Sequence, residues 1–139
     1  MATKYKVLEL AGWQLDAAVH WAQERLPEED ELRALGIRSL EAFYTASSEA
    51  FDALPRQLLA LRLEHPSRDW LVGGALIERE RVALEPTGLS SELGSASWTA
   101  HIHPEDSRRH SLATGGTPLE AAMRAFVYME VGATVELPL

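Results

Sequence analysis

The chain has no cysteine among its 139 residues, which excludes disulfides, thiolate nucleophiles and cysteine-ligated zinc and suits a reducing compartment. It is also short of positive charge. Thirteen Lys and Arg face 21 Asp and Glu, and the net charge of -8 repels phosphate backbones and acidic membrane surfaces alike. Nucleic acid is therefore a disfavoured partner. No apolar run approaches the roughly 20 residues of a membrane span, and Met1 to Lys6 carry no apolar signal-peptide core. A cytoplasmic protein without a membrane partner is the expectation. Nucleotide fingerprints are missing too, because Gly73-Gly74 is not followed by the Lys-Ser or Lys-Thr of a P-loop. No cofactor is expected.

What is present suffices for one core. With 46% apolar residues over 1–139, the chain can bury roughly two-thirds of its unfolded surface, so a single domain is expected. Tyr5, Val7 and Leu8 suggest a short first strand. From Trp13 to Leu26, the residues Leu15, Ala18, Val19, Ala22 and Leu26 form one helical stripe that must end near Pro27; Asp16, His20 and Glu24 fall on a different face, expected to be wetter. Residues 28–65 carry helical periodicity through Leu40, Phe43, Tyr44, Phe51 and Leu54. Pro55 interrupts it and His65-Pro66 ends it, so a helical hairpin is expected there.

After Pro66 the signals change to a loop containing Gly73-Gly74, then the apolar run Val82 to Leu84. Gly88 to Ser97 has the composition of a turn or mobile loop. Trp98, Ala100 and Ile102 alternate with Thr99, His101 and His103, which predicts a half-buried strand, and Ser111 to Thr114 suits the returning one across a solvated Pro104 to Arg109 connection. The last helix is the clearest. Thr117 can cap it, Pro118 suits its first turn, Glu120 completes a capping box, and Leu119, Ala122, Met123, Phe126 and Val127 form a buried stripe up to Gly132. Thr134 to Leu137 reads as an edge strand able to pair with a second copy, a possible homodimer. The whole implies an α+β fold, a small antiparallel sheet of three or four strands covered by helices.

Several segments, taken in order, resemble a known family: LAGWQLDAAVHWA, SRDWLVGGALIERERV, the strand at Trp98, and GGTPLEAAMRAFVYMEVGATVELP. Together they are similar to the NinX-like domain of unknown function found in small bacteriophage and prophage proteins. The resemblance covers about the first 26 residues and 66–138, so 28–65 stands as a helical insertion, and Ala75 occupies a position where proline is common in the family. It implies no activity. It implies a phage or prophage accessory protein working in the cytoplasm of a bacterial host.

The candidate binding surface is Asp69, Trp70, Gly73, Gly74, Glu78, Arg79 and Glu80, where adjacent glycines allow close approach and the charged residues can contact a ligand. The alternative is a tight turn held by a Glu78–Arg79 pair. Arg108 and Arg109, with His110, precede Gly115-Gly116 and a helix start, which together can make an anion pocket; the alternative is a solvated loop before an ordinary capped helix. His101 and His103 share one face of a strand, and Glu105 or Asp106 can complete a nitrogen-and-oxygen metal site, although the plainer reading is solvent-facing histidines. Asp16 and His20, one turn apart, can orient an imidazole as a base or simply be a surface pair. Trp13, Trp21, Trp70 and Trp98 fill a core or, where exposed, mark an interface. No catalytic motif is complete. A non-catalytic module binding a host or phage protein is the leading expectation. The alternatives are an anionic-ligand or nucleotide domain or enzyme using Glu78 and Arg79, and DNA mimicry by the acidic surface.

Overall fold

A computed structural model describes residues 2–51, 53–90, 95–103 and 110–139. In chain order the elements are β1 (Thr3–Lys6), α1 (Gly12–Ala22), α2 (Glu29–Ala34), α3 (Leu40–Thr45), α4 (Arg56–Leu63), α5 (Trp70–Glu80), β2 (Ala83–Ser90), β3 (Ser95–Ile102), β4 (Ser111–Gly115), α6 (Pro118–Val131) and β5 (Thr134–Leu137). Tight 3-10 turns occupy Val7–Glu9 and Ser48–Phe51. This is the expected α+β fold. Its strands form two antiparallel sheets rather than one, β2-β3-β4 and β1-β5.

The organising element is α6. Thr117 Oγ1 accepts from the Glu120 amide at 3.1 Å, Pro118 sits in the first turn, and Gly132, at φ 93, ends the helix in the left-handed region that glycine enters without strain. Besides the predicted Leu119, Ala122, Met123, Phe126 and Val127, the helix also buries Ala121 and Ala125. The buried face is wide because β3 and β4 lie on one side of α6 and α1 on another. On the three-stranded sheet, Leu84, Trp98, Ala100, Ile102, Ser111 and Ala113 share the face toward α6, and Ser111 Oγ donates to the Ala125 carbonyl at 2.7 Å. Glu85, Thr87, Thr99, His101, Leu112 and Thr114 share the other face.

Four expectations change locally. First, Val7 and Leu8 leave the ladder instead of extending the first strand. The strand is Thr3–Lys6 against β5, and Val7, whose amide donates to the Ala133 carbonyl at 2.9 Å, turns into the core with Leu10. Second, Gly88 to Ser97 is not all loop, since β2 continues to Ser90 and β3 begins at Ser95 through an irregular register; ladder pairing overrides the small polar composition. Third, 28–65 is helical as expected, but its helices are three short ones. Both ends of α3 are held by side chains: Ser39 Oγ accepts from the Ala42 amide at 3.2 Å, and the buried Arg62 donates to the carbonyls of Phe43 and Ala46. Leu32, Ile37, Leu40, Phe43, Leu58 and Leu61 from this segment enter the same core as α1 and α6.

The fourth change bears on function. Residues 70–80, expected as a glycine loop, form α5, with the Asp69 side chain accepting from the Leu71 amide at 3.0 Å as its N-cap. A Cβ on Gly73 would lie 2.3 Å from the Pro66 carbonyl oxygen and 2.7 Å from Leu119 Cδ2. Gly73 is thus the contact that lets α5 close onto the chain before it and onto α6. Neither glycine serves a turn.

Candidate functional site

Because Gly73 and Leu76 face inward, helical geometry sends Trp70, Leu71, Ala75, Glu78 and Arg79 to the solvent side of α5. Trp70 is 57% exposed, Leu71 84%, and Leu63, at the end of α4 just before, 71%; these are the three most exposed large apolar side chains among the described residues. All three cluster in sequence at the α4–α5 corner. Arg79 pairs with Glu80, Nε to Oε1 at 3.1 Å, rather than with Glu78 as the turn reading required. Arg79 and Glu80 also line an open cleft of about 360 Å³ with Gln23, Arg25, Phe126 and Glu130. The candidate residues Asp69, Trp70, Gly73, Gly74, Glu78, Arg79 and Glu80 therefore sit together on one helix, but the two glycines offer their amides to that helix and not to a ligand.

A second cluster lies where a wet face was expected. Asp16 and His20 are 1% and 0% exposed, because α1 is covered by α6 on one side and by α3 and the α4–α5 connection on the other. Asp16 Oδ1 accepts from the Ser67 amide at 2.9 Å, and Oδ2 lies 3.5 Å from His65 Nδ1. His20 Nδ1 is 2.7 Å from the Tyr44 hydroxyl, and Nε2 is 3.4 Å from Glu64 Oε2; Glu64 in turn accepts from both ends of the Arg25 guanidinium at 2.7 and 3.0 Å. Burial, with Arg25 adding to it, pulls the His20 pKa down to about 4. Hydrogen bonding from Arg25 holds the Glu64 carboxyl below its usual range, and burial pushes the Tyr44 hydroxyl up. At neutral pH the imidazole is neutral beside an ionised Glu64. A carboxylate only accepts, so Nε2 carries the proton toward Glu64 and the Tyr44 hydroxyl donates to Nδ1.

This Arg25–Glu64–His20–Tyr44 string has the order of a proton relay, yet His20 is wholly buried and Tyr44 only 7% exposed. It works as a polar brace between α1, α3 and the chain entering α5, buried at His20 and Tyr44 and open to solvent at Arg25 and Glu64. Asp16 and His20 thus do not act as a pair; each is held by a different partner. Tyr44, Glu64, His65 and Arg25 carry no motif. The one sequence signal was that Trp13 and Ala17 share the supposedly wet face of α1, and Trp13 stacks on Tyr44 at 6.3 Å.

Acidic charge gathers elsewhere. A cleft of about 450 Å³ is lined by Trp21, Leu26 and Val131 with Glu24, Glu28 and Glu130. Elsewhere among the described residues cations sit beside carboxylates, in pairs such as Arg33–Glu29 and Arg124–Glu120. That mixed pattern is unlike a row of phosphates. Arg108, Arg109, Glu105 and Asp106 lie outside the described residues. At the helix start that was to form the anion pocket, the Gly116 amide donates to Glu120 Oε1 at 3.1 Å and the Glu120 amide to Thr117. The Glu120 carboxylate occupies the place an anion would take. His101 and His103 are on the open face of the sheet, His101 Nε2 lying 3.1 Å from Glu85 Oε1. No three metal-ligating side chains converge among the described residues, and no helix among them is long and apolar enough to cross a membrane.

A family model described as bacteriophage P22, NinX, matches residues 6–130. No curated protein matches the chain.

Proposed function

Because this chain belongs to the bacteriophage P22 NinX family, we propose that it is a phage or prophage accessory protein of the host cytoplasm and works as a non-catalytic protein-binding module. The observation that carries this reading is the exposure of Leu63, Trp70 and Leu71 at the α4–α5 corner. An outward tryptophan and two outward leucines close together in the chain leave apolar area in water that a partner pocket would remove, and Trp is enriched among interface anchors. Arg68 beside the corner, and Glu78 and Arg79 further along the same exposed side of α5, are charged residues of the kind found at an interface rim. With a net charge of -8 on the chain, a protein of the phage or host suits this surface better than nucleic acid or an acidic membrane.

The test is a Trp70→Ala, Leu71→Ala double variant. It should unfold within about 0.5 kcal/mol of the wild type, since exposed side chains contribute little to stability. It should also lose a phage or host protein that the wild type retains from infected-cell extract. A variant that retains every partner of the wild type removes the α4–α5 corner from the proposal.

A second reading, an anionic small-molecule site, draws on the cleft where Arg79 meets Arg25. Both guanidiniums already face carboxylates, Arg25 on Glu64 and Arg79 on Glu80, so a ligand there must compete with internal anions. A ligand present at 100 times its dissociation constant adds about 2.7 kcal/mol of stability. No thermal shift across nucleotides and phosphosugars at millimolar concentration would remove this reading.

A further inference from the structure

His101, His103 and His110 are brought together by the β3–β4 pairing. Ile102 pairs with Ser111 as the last pair of the ladder, and His103 and His110 are the residues that follow it on either side. Directly opposed side chains in an antiparallel pair have Cβ atoms about 4.5–5.5 Å apart. The rings meet that expectation, stacked 4.9 Å apart at 13°. Two residues back on the same face, the His101 ring stacks on His103 at 6.2 Å and 12°. His103 and His110 are exposed, and the face they share with Glu85 and Thr99 is the one turned away from α6. Three imidazoles thus form an accessible row across the end of the β3–β4 ladder and just beyond it.

A fourth group prepares the row. Glu85 Oε1 is 3.1 Å from His101 Nε2. Since the carboxylate only accepts, Nε2 carries the proton and Nδ1 keeps the lone pair. A carboxylate that fixes the tautomer of a histidine in this way is the usual outer partner of a metal-bound imidazole.

We propose that His103 and His110, with His101 beside them, bind a divalent transition-metal ion of the imidazole-preferring class, such as Zn²⁺ or Ni²⁺. As they stand, the rings are parallel and do not converge. Two nitrogens on one tetrahedral zinc lie about 3.4 Å apart, given Zn–N bonds of about 2.0–2.1 Å. The ring centroids are 4.9 Å apart, so the site requires each exposed ring to tilt toward the other. His101 and water complete the sphere, with Glu85 behind His101. The chemistry is that of an open, nitrogen-rich surface site. It would tie the end of β3 to the start of β4.

The experiment is calorimetric titration of chelator-stripped full-length protein with ZnCl₂ near neutral pH, with the five histidine imidazole resonances followed in parallel by NMR. The proposal expects one equivalent bound with micromolar affinity, perturbing His101, His103 and His110 and sparing the buried His20 and the half-buried His65. His103→Ala and His110→Ala should each weaken binding more than tenfold, and Glu85→Gln by about tenfold, the lower range for an outer carboxylate. Absence of heat at millimolar zinc, wild-type affinity in His103→Ala and His110→Ala, or zinc perturbing only His20 or His65 would each overturn it. The NMR readout on the unmodified protein keeps the result independent of how the variants fold.

Discussion

Gly73→Ala and Gly74→Ala should change stability in opposite directions, although both replace a glycine with the best helix former in the interior of α5. An alanine in place of glycine inside a helix gains up to about 1 kcal/mol from propensity. At Gly74 nothing opposes that gain, because the new Cβ meets its nearest neighbour, Trp70 Cε3, at 3.7 Å, an ordinary contact. At Gly73 the Cβ would lie 2.3 Å from the Pro66 carbonyl oxygen and 2.7 Å from Leu119 Cδ2. Leu119 can turn aside, but the Pro66 carbonyl is buried main chain beside the Ser67 amide that Asp16 holds, so α5 itself must shift. Overpacking costs about 1–3 kcal/mol, and a clash with main chain at 2.3 Å belongs to the upper part of that range, about 2–3 kcal/mol, leaving a net loss of about 1–2 kcal/mol after the propensity gain. At about 4 °C per kcal/mol for a chain of this size, Gly73→Ala should melt about 4–8 °C lower and Gly74→Ala about 2–4 °C higher than the wild type. Thermal and urea unfolding followed by circular dichroism measure both. A Gly73→Ala variant as stable as Gly74→Ala would refute the close approach of α5 to Pro66 and Leu119, and with it the placement of the exposed α5 face.

Two further outcomes follow from the buried polar groups. His20 titrates near 4 in the folded protein and near 6.5 when unfolded. Between those values the unfolded chain takes up a proton that the folded one refuses, so stability should fall as pH drops from about 6.5 to about 4, by about 3 kcal/mol in all. Glu64, held low by Arg25, begins to lose its contribution as pH falls below its ordinary value of 4.5. His20→Gln should flatten the urea midpoint across this window, and parallel profiles for variant and wild type would sink the assignment. Arg62→Met should cost about 2–3 kcal/mol, because it leaves the Phe43 and Ala46 carbonyls without their donor and removes the guanidinium from the Phe51 ring. Arg62→Lys should restore less than half of that, since an ammonium lacks the fork that spans two carbonyls. A loss under about 0.5 kcal/mol for Arg62→Met in chemical unfolding would show that the α3 end does not depend on it.

The parts of the fold that were legible in the sequence are those whose signals are local. Thr117, Pro118, Glu120 and Gly132 bracket α6 through capping chemistry that operates within a few residues, and the alternation from Trp98 to Ile102 records which side of β3 meets a core. The candidate site was legible only as a set of residues. Asp69 to Glu80 do share one element, but its helical form was hidden by Gly73-Gly74, whose cost to a helix is offset by a neighbour 2.3 Å from where a side chain would begin. The His103–His110 pair was half visible: the spacing of His101 and His103 shows one strand face, whereas the third imidazole arrives by cross-strand register.

By itself, the sequence determined the α+β class, the two ends of α6, the strand pair around the histidines, the family and the acidic character, because each of these is written in spacing, capping or composition. The tertiary structure alone decided that Asp16 and His20 are buried. A single helical stripe cannot reveal that α1 is covered on two sides, and only the arrival of Tyr44 from α3 and of Ser67 from the α4–α5 connection supplies the hydrogen bonds that make such burial tolerable, with Glu64 and His65 facing the same groups at 3.4 and 3.5 Å. It likewise decided that Trp70 and Leu71 face water while Trp13 stacks inside on Tyr44. Composition treats these tryptophans alike; which of them is left exposed depends on the packing of α5 against Pro66 and α6.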